Sequence, residues 1–397
     1  MKICYLCADH GIPILGRKGC STHVRETCRS LQEAGQEVFV VTSRRGDDVS
    51  EYRDLEIIEI PVLRSRWLGS DLRQWLYNFR LIRAMTRLLK QRVPDVLYER
   101  HALYSTAGMR LAKRFRLPRI LEVNTLLVEE QMQRIHFPRL ASWMEDRIVG
   151  SAPEIIVVST PLREAFVGRG IDPRRISIMP MAVDVRRFHP DVEPAPLRAR
   201  FHLDGKTIVG YTGTLTAWHG IELLFEVAET IKALEENLCI VVIGGDEVKV
   251  NEQRERVRSR RLGDHLIFMG SVPYTEVPHY ISAMDITVIP GSIEWASPTK
   301  LFEYQAMGKP SVAPRLIPVA DALTDGREGY LFRPNDVEEL TDRILRLHHD
   351  SVERLAMGRR ARQRVVERHA WEHNTGRIIE MFTRMLREKA EKGRNGT

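Results

Sequence analysis

The chain has 397 residues, with 60 Lys and Arg against 53 Asp and Glu, 43% hydrophobic residues and five cysteines. This length exceeds one ordinary core, so two domains are expected, and no apolar run approaches the roughly 20 residues of a membrane-spanning helix. The excess of positive charge lies in residues 1–190, which is therefore the half expected to meet an anionic surface. Five scattered cysteines and a strand-like amino terminus in place of a signal peptide predict a cytoplasmic protein.

Short apolar segments alternate with amphipathic helical segments along the chain, which is typical of parallel sheets covered by helices on both faces. A proline-rich break at Phe188–Pro196 separates two such series. We predict doubly wound Rossmann-like α/β domains at residues 1–187 and 188–375, followed at 376–397 by a helix that crosses back to the first domain and a disordered tail from Lys389. The predicted strands are Lys2–Ala8, Glu37–Thr42, Glu56–Pro61, Val96–Glu99, Arg119–Val123, Glu154–Ser159, Thr207–Thr212, Leu238–Ile243, Leu266–Met269, Ile286–Ile289, Ser311–Ala313 and Gly329–Phe332.

Two glycine-containing loops each join the first strand of a series to a helix. The first runs from Gly16 through Gly19 to Glu26, and its spacing differs from the dinucleotide motif G-x-G-x-x-G. Glycines there let the backbone approach a ligand, and a helix start offers free N–H groups, although the bare pattern equally fits a plain turn. The second, Gly210–Glu222, contains Gly213 and His219, and His219 fits either a ligand contact or a simple helix start.

The segment Ser297–Pro310 is the most informative about function. It follows the apolar strand Ile286–Ile289, and Ser297, Pro298 and Thr299 predict a helix start at the carboxyl end of that strand. Open α/β sheets bind ligands at this edge, and a helix N-terminus favours phosphate. Glu303, one turn along, is placed to accept from sugar hydroxyls. We therefore expect a nucleotide or nucleotide-sugar diphosphate, with Gly244 at a glycine turn and Val272 at the wall of a base pocket.

In this order, the motifs resemble those of retaining glycosyltransferases of family 4, over nearly the whole chain. Gly16 through His23 is similar to the family's G-G-x-x-x-H loop, and Pro180–Asp184 to its P-N-G-V-D linker. Gly213–Gly220 is similar to G-R-L-x-x-x-K-G, and the segment ending at Pro310 to E-x7-E with E-A-M-A-x-G-x-P. The resemblance implies the GT-B fold, two Rossmann-like domains with an active site in the cleft. It also implies an acceptor domain that comes first and a nucleotide-sugar donor domain.

Several positions depart from that pattern. The family's Arg and Lys that clamp the diphosphate fall on Thr214 and His219, so Lys300 is the candidate cation, helped by His219 when protonated. The first Glu of E-x7-E falls on Trp295, with Glu294 one position away. A histidine common in the family falls on Asn124, which can hold a hydroxyl but cannot act as a base. These departures resemble a branch with S-P-x-K-L-F-E-Y that is often met in bacterial surface-polysaccharide assembly.

Sugar transfer with retention passes through an oxocarbenium-like state, so the main demand is to stabilise negative charge on the departing diphosphate. Backbone N–H groups near Gly19 and Gly213, two helix starts and Lys300 are expected to supply this. No metal or other cofactor is expected, because the sequence has no Asp-x-Asp motif. We expect a carbohydrate or lipid-linked acceptor. Its candidate contacts are Glu99, Arg100, His101, Asn124 and Glu129, with His23 added by the resemblance.

The stretch Arg64–Lys90 interleaves arginines with aromatic and aliphatic residues. It fits either a basic amphipathic helix on the anionic inner face of a membrane or a packed surface helix with solvated arginines. Two other functions stay open: a nucleotide-sugar 2-epimerase on the same fold, and a binding partner that has lost catalysis. Nucleic-acid binding is not expected, because the basic residues are dispersed and no aromatic-interleaved basic motif is present.

Overall fold

A computed structural model of the chain describes residues 1–16, 18–46, 54–62, 70–234 and 236–395. It contains two compact units: unit 1 comprises Met1–Pro180 and Trp371–Thr397, and unit 2 comprises Met181–Ala370. The chain thus passes between units slightly before the predicted boundary at 187 and 188. Residues 64–69 of the predicted Arg64–Lys90 helix lie outside the described residues.

Unit 1 is a parallel sheet of seven described strands in the order β3-β2-β1-β4-β5-β6-β7. Strand β7 is not predicted by the sequence pattern, because it has only three residues and ends just before Met179 and Pro180. The strands are β1 Lys2–Cys7, β2 Glu37–Thr42, β3 Glu56–Glu59, β4 Val96–Arg100, β5 Arg119–Val123, β6 Glu154–Val157 and β7 Ile176–Ile178. The helices are α1 Gly19–Glu33, α2 Ser70–Gln91, α3 Ala107–Phe115, α4 Leu127–Glu130, α5 Pro138–Gly150 and α6 Thr160–Gly168.

Unit 2 is a second parallel sheet, of six described strands in the order β10-β9-β8-β11-β12-β13. The strands are β8 Thr207–Thr212, β9 Leu238–Ile243, β10 Leu266–Gly270, β11 Ile286–Val288, β12 Ser311–Pro314 and β13 Gly329–Phe332. The helices are α7 Leu197–Phe201, α8 Ile221–Ala233, α9 Glu247–Ser259, α10 Val277–Ser282, α11 Thr299–Ala306, α12 Ile317–Ala322, α13 Val337–His349 and α14 Ser351–Arg368.

The burial of the strands explains why they read as continuous apolar runs. All six residues of β9 are buried, since helices cover both faces of a doubly wound parallel sheet. Helix starts are fixed by side-chain caps: the carboxylates of Asp246, Asp336 and Asp350 accept from the backbone N–H three residues later, at the starts of α9, α13 and α14. The caps of α9 and α13 thereby fix the ends of the loops that follow β9 and β13.

The last helix, α15 Trp371–Asn395, belongs to unit 1 and packs on α1, where the hydroxyls of Ser30 and Thr375 are 2.6 Å apart. The predicted disordered tail from Lys389 is wrong as far as Asn395, because α15 continues through these residues. Lys, Glu, Ala and Arg are strong helix formers, so the high charge of this segment does not end the helix. Among the described residues, no helix is apolar over a length that would cross a bilayer.

Candidate active-site residues

In unit 2 the predicted segment forms a helix at the carboxyl edge of the sheet. Strand β11 lies between β8 and β12, and α11 begins at Thr299 after the loop that follows the strand. Lys300 and Glu303 are three residues apart on α11, so their side chains emerge on neighbouring parts of one helix face. This arrangement brings a cation and a carboxylate together at the edge where parallel α/β sheets bind ligands.

Lys300 contacts the rings of Tyr211, in β8, and His219, in the loop that follows β8. Its Nζ is 3.4 Å from the hydroxyl of Tyr211 and 3.3 Å from Nδ1 of His219, and it lies 5.0 Å from the centre of the Tyr211 ring. Burial lowers the pKa of Lys300 to about 8, although Glu303 opposes this shift. Among the described residues no carboxylate oxygen is within ion-pair distance of Nζ, so its charge lacks a close anionic partner.

The expectation that a protonated His219 helps to balance the diphosphate charge needs correction. Burial, followed by the positive charge of Lys300, lowers the pKa of His219 to about 3. The imidazole is therefore neutral at physiological pH, and because a Lys ammonium only donates, Nδ1 accepts from Lys300. His219 orients the lysine instead of adding a second charge.

Gly213 provides the space in which Lys300 lies. Its φ is 148°, and a Cβ at this position would lie 2.8 Å from the Tyr211 hydroxyl and 3.3 Å from Cε of Lys300. The N–H of Gly213 donates to the carbonyl of Ile243 at 2.9 Å, so Gly213 itself does not offer the free phosphate donor that was predicted. Gly244 is equally close-packed, since a Cβ there would be 2.1 Å from the carbonyl oxygen of Gly213.

Glu303 is buried, with 8% of its surface exposed, and its Oε1 accepts from the Tyr274 hydroxyl at 3.0 Å. Burial raises the pKa of Glu303 to about 7, opposed by Tyr274, Lys300 and Arg187. Near neutral pH the side chain therefore exchanges between a carboxylate acceptor and a neutral acid. Perturbed titrations of this kind cluster at functional sites.

The remaining donor-side candidates fall into two groups. Ser297 and Pro298 have contacts within the fold: Ser297 Oγ accepts from the N–H of Met181 at 3.0 Å, and Pro298 is the buried residue just before α11. Thr214 and Glu294 are exposed, whereas Thr299 and Val272 are half-buried. Lys300, His219, Gly213 and Glu303 are thus the predicted residues that the fold collects in this part of unit 2.

In unit 1, three predicted residues meet at Glu122, a residue that sequence reasoning did not select. One carboxylate oxygen contacts Nε2 of His23 at 2.8 Å, accepts from Nη1 of Arg100 at 2.9 Å and accepts from the Asn124 amide; the other accepts from the Tyr98 hydroxyl at 2.6 Å. Burial alone would raise the pKa of Glu122, but these partners hold it well below the usual range. The sequence signal that could have identified Glu122 is its position as a charged residue inside the apolar strand Arg119–Val123.

The other acceptor-side candidates are placed differently. Glu99 alternates with Tyr98 and Arg100 along β4, so it faces the other side of the sheet, where it is buried. Its Oε2 lies 3.4 Å from Nη1 of Arg119, and it accepts from the N–H of Gly108 at the start of α3. The prediction that Glu99 binds acceptor is therefore wrong: this carboxyl supports the helix.

Glu129, on α4, is exposed and pairs with Arg169. His101 is buried, and burial, aided by nearby arginines, lowers its pKa to about 3. Neither of its ring nitrogens has a hydrogen-bond partner among the described residues. Gly19 begins α1, and a Cβ there would meet nothing within 4 Å, so its backbone is open to approach.

Comparison with known protein families gives one match in each half of the chain. Residues 17–187 match a family described as Glycosyltransferase Family 4, and residues 197–364 match Glycosyl transferases group 1. D-inositol 3-phosphate glycosyltransferase of Corynebacterium urealyticum is 26% identical over 63% of this chain, and the match spans 60% of that enzyme's length.

Solved structures show the same fold. Sucrose-phosphate synthase from Thermosynechococcus elongatus superposes with a TM-score of 0.80 at 20% identity, over 98% of this chain and 99% of that one. HepE of Anabaena in complex with UDP-glucose gives 0.75 at 15% identity, over 96% and 99%. The predicted GT-B fold is confirmed by these neighbours and by the two parallel α/β sheets, and a glycosyltransferase family model matches each of the two halves of the chain.

Proposed function

We propose that this protein transfers a sugar from a nucleotide-diphosphate sugar to a carbohydrate or lipid-linked acceptor, retaining the anomeric configuration and requiring no metal for the transfer. The single observation that carries the proposal is the pair on α11, Lys300 and Glu303. Lys300 provides a positive charge without a carboxylate partner among the described residues, and Glu303 provides a buried acceptor. A ligand with an anionic group and neighbouring hydroxyls satisfies both.

The chemistry follows from the charge that develops as the donor reacts. When the glycosidic bond to the diphosphate breaks, negative charge grows on the departing phosphate oxygens. Lys300 is positioned by Tyr211 and His219 to donate to that charge, in a site where partial burial strengthens the interaction. Glu303 accepts from donor hydroxyls, for which the ribose is our candidate. In unit 1, Arg100, His23 and Asn124 are held by Glu122 as candidate acceptor contacts.

The donor is the first part of the proposal to test. Purified protein is screened by thermal shift against UDP, GDP, ADP and dTDP and their common sugar conjugates, with magnesium and with EDTA. We expect one nucleotide to raise the melting temperature equally under both conditions, since a ligand at 100 times its Kd adds about 2.7 kcal/mol to folding stability. A shift that needs magnesium would contradict the metal-independent part, and no shift with any nucleotide would contradict the donor site.

The stereochemistry requires a separate measurement. With the donor identified, the product formed with sugar acceptors is followed by NMR, and the anomeric coupling is compared with that of the donor. We expect the same configuration in donor and product. An inverted product would exclude retention, and donor binding with neither transfer nor hydrolysis would favour a binding protein without catalysis. Appearance of a 2-epimer without an acceptor would instead indicate an epimerase.

We also propose that unit 1 contacts an anionic membrane surface, where a lipid-linked acceptor is found. Helix α2 exposes Leu72, Trp75 and Phe79, at 46%, 44% and 54% of their surfaces. Near them, around α5, Phe137 and Trp143 are 62% and 57% exposed. These side chains are large and apolar, and four of the five are aromatic. Aromatic residues are favoured at the interface between lipid and water.

Trp75, Phe79, Leu140 and Trp143 line a groove of about 410 Å³ between α2, α3 and α5. A neighbouring depression beside Phe79 is lined by Arg83, Arg87, Arg110 and Arg114. This combination of an apolar groove and an arginine rim is complementary to acyl chains below negatively charged headgroups. The alternative, a packed surface helix with solvated arginines, accounts for the buried Tyr77, Leu81 and Met85 of α2 but gives the exposed aromatic side chains no role.

Vesicle co-sedimentation tests the membrane contact. We expect the protein to bind vesicles that contain anionic lipid and to be released by salt, and the double change Arg80→Glu with Arg83→Glu to weaken binding by at least about tenfold, since each basic residue near the surface contributes roughly 1 kcal/mol. The control Arg258→Glu with Arg359→Glu makes the same charge change on exposed helices of unit 2 and should bind normally. Equal loss in both variants would indicate a general charge effect, and no binding by the parent protein would exclude the contact.

A further inference from the structure

Three side chains with metal-ligating atoms meet at the end of α13, outside the candidate active-site residues. Glu236 precedes β9, and His348 and His349 are the last two residues of α13. The two oxygens of Glu236 each lie 3.4 Å from Nε2 of one of these histidines. One ligand atom from each of the three residues lies within 4.8 Å of the others. We propose that Glu236, His348 and His349 bind a zinc ion.

The spacing of the atoms suits this ion. Zinc takes His nitrogen and carboxylate oxygen at about 2.0–2.1 Å in a tetrahedral arrangement, which places neighbouring ligand atoms roughly 3.3–3.4 Å apart. Each histidine Nε2 already lies at this distance from one oxygen of Glu236. Binding through a single carboxylate oxygen would require the three side chains to shift toward a common ion from separations that are within 4.8 Å. Two histidines and a carboxylate leave one position for water, and the exposed side of His349 gives solvent access to it.

A residue outside the cluster fixes the orientation of His348. Its Nδ1 is 2.8 Å from the hydroxyl of Thr207. If Nδ1 donates there, Nε2 carries the lone pair and points toward Glu236, which is the tautomer required for a ligand. Outer partners of this type orient metal-binding imidazoles and raise their affinity.

The cluster lies at the end of the sheet opposite the candidate active-site residues of unit 2. Thr207 begins β8, whereas Gly213 follows its end, and the six residues of the strand put the cluster roughly 16–17 Å from the Lys300 environment at the opposite sheet edge. A zinc ion there would join the α8–β9 connection to the end of α13. The guanidinium of Arg354, which donates to the carbonyls of Leu347 and His348, is a nearby positive charge that opposes a cation.

The test uses tag-free, metal-stripped protein titrated with Zn²⁺ in competition with a chromophoric chelator at neutral pH. We expect one zinc per chain and a rise in melting temperature on binding. His348→Gln should weaken binding at least about tenfold and remove that rise. Thr207→Val keeps the strand and all three ligands but removes the outer partner, and such changes cost about 10- to 100-fold in affinity. His373→Gln, an exposed histidine of α15, is the matched control and should change neither result.

Cobalt substitution separates this site from the five cysteines, which can also bind zinc. A tetrahedral Co²⁺ spectrum without a thiolate charge-transfer band, lost in His348→Gln, would support the proposal. A thiolate band, or zinc affinity unchanged in both His348→Gln and His349→Gln, would overturn it. Absence of stoichiometric zinc binding would show that the cluster is only a histidine–carboxylate contact. Because the readouts are affinity and melting temperature, their outcome does not depend on glycosyl transfer.

Discussion

The carboxylate of Glu122 in unit 1 is buried and the ammonium of Lys300 in unit 2 is half-buried, and the surroundings of the two charges differ. Glu122 is saturated by Arg100, His23, Asn124 and Tyr98, and its pKa is held well below the usual range. Lys300 has two neutral neighbours, and burial lowers its pKa to about 8. A charge satisfied within the fold organises its neighbours, whereas a charge left without an anion is available to a ligand.

The largest expected effect is on stability, from Glu122→Gln. The Gln amide would point an N–H group at donors that now share a carboxylate, and breaking such a buried network costs about 3–5 kcal/mol. Chemical denaturation measures this loss. The control is Glu129→Gln, because Glu129 is exposed and its ion pair with Arg169 should contribute less than about 1 kcal/mol. Equal losses in the two variants would contradict the comparison.

Low pH should reduce the difference in stability between the parent protein and Glu122→Gln. The folded-state pKa of Glu122 is depressed, so its contribution to stability is present above the unfolded value, which is near 4.5, and is lost as the pH falls below it. We therefore expect the free energies of unfolding of the parent protein and Glu122→Gln to begin to converge as the pH falls below about 4.5 and to approach each other further down to the folded pKa.

The next effect concerns turnover, from Lys300→Ala. Removing one charged donor to a developing oxyanion costs about 100- to 1000-fold in kcat. The donor Kd should change less, because the interaction strengthens only as the diphosphate departs. Steady-state kinetics and calorimetry separate the two quantities, and Lys206→Ala, a surface lysine that donates to the carbonyl of Asp264, is the control. Unchanged kcat in Lys300→Ala would exclude the role.

A smaller effect is expected on donor affinity, from Glu303→Gln. The amide keeps one acceptor oxygen but loses the charge, so the donor Kd should rise about tenfold, consistent with the 1.5–3 kcal/mol attributed to hydrogen bonds with charged groups. Tyr274→Phe should have a weaker effect, about threefold, because it only releases the carboxylate that Tyr274 holds. Calorimetric titration with the nucleotide sugar measures both, and Glu226→Gln on exposed α8 is the control. Donor affinity unchanged in Glu303→Gln would remove its binding role.

The contrast between the two units also explains which elements and site residues could be predicted from the sequence. Apolar runs such as Leu238–Ile243 fix strands directly, because continuous burial on both faces leaves little choice of residue type. Lys300 and Glu303 were found because the helix that carries both residues begins after such a strand, and they lie within one turn of each other. The network in unit 1 was predicted only in part: His23, Arg100 and Asn124 come from three different chain segments, and their common partner Glu122 is fixed by tertiary packing.

The errors have the same origin. Glu99 and Arg100 are adjacent in sequence and look equivalent, but alternation along β4 sends them to opposite faces of the sheet. His219 was expected to carry charge because an isolated imidazole has a pKa near 6.5. Its environment lowers that pKa to about 3, an effect that depends on burial and on the nearby Lys300. Local patterns predict which elements form, whereas protonation depends on neighbours that folding brings together.

The final prediction concerns the pH dependence of donor use. In the free enzyme the pKa of Glu303 is about 7 and that of Lys300 about 8, and the productive form needs a carboxylate and an ammonium. We expect kcat/KM for the donor to rise through about pH 7 and to fall above about pH 8. Lys300→Arg should remove the alkaline decline, because guanidinium stays protonated, and should keep the acid limb.

The free energy of unfolding should decrease over the pH range in which kcat/KM rises. The pKa of Glu303 is raised in the folded state, so its contribution is present below about pH 4.5 and is lost as the pH rises through about 7. Glu303→Gln should remove both this dependence and the acid limb of kcat/KM. A flat kcat/KM between pH 6 and 9 in the parent protein would mean that neither group titrates in the productive complex. The distinction between a satisfied charge in unit 1 and an available charge in unit 2 would then fail for donor use.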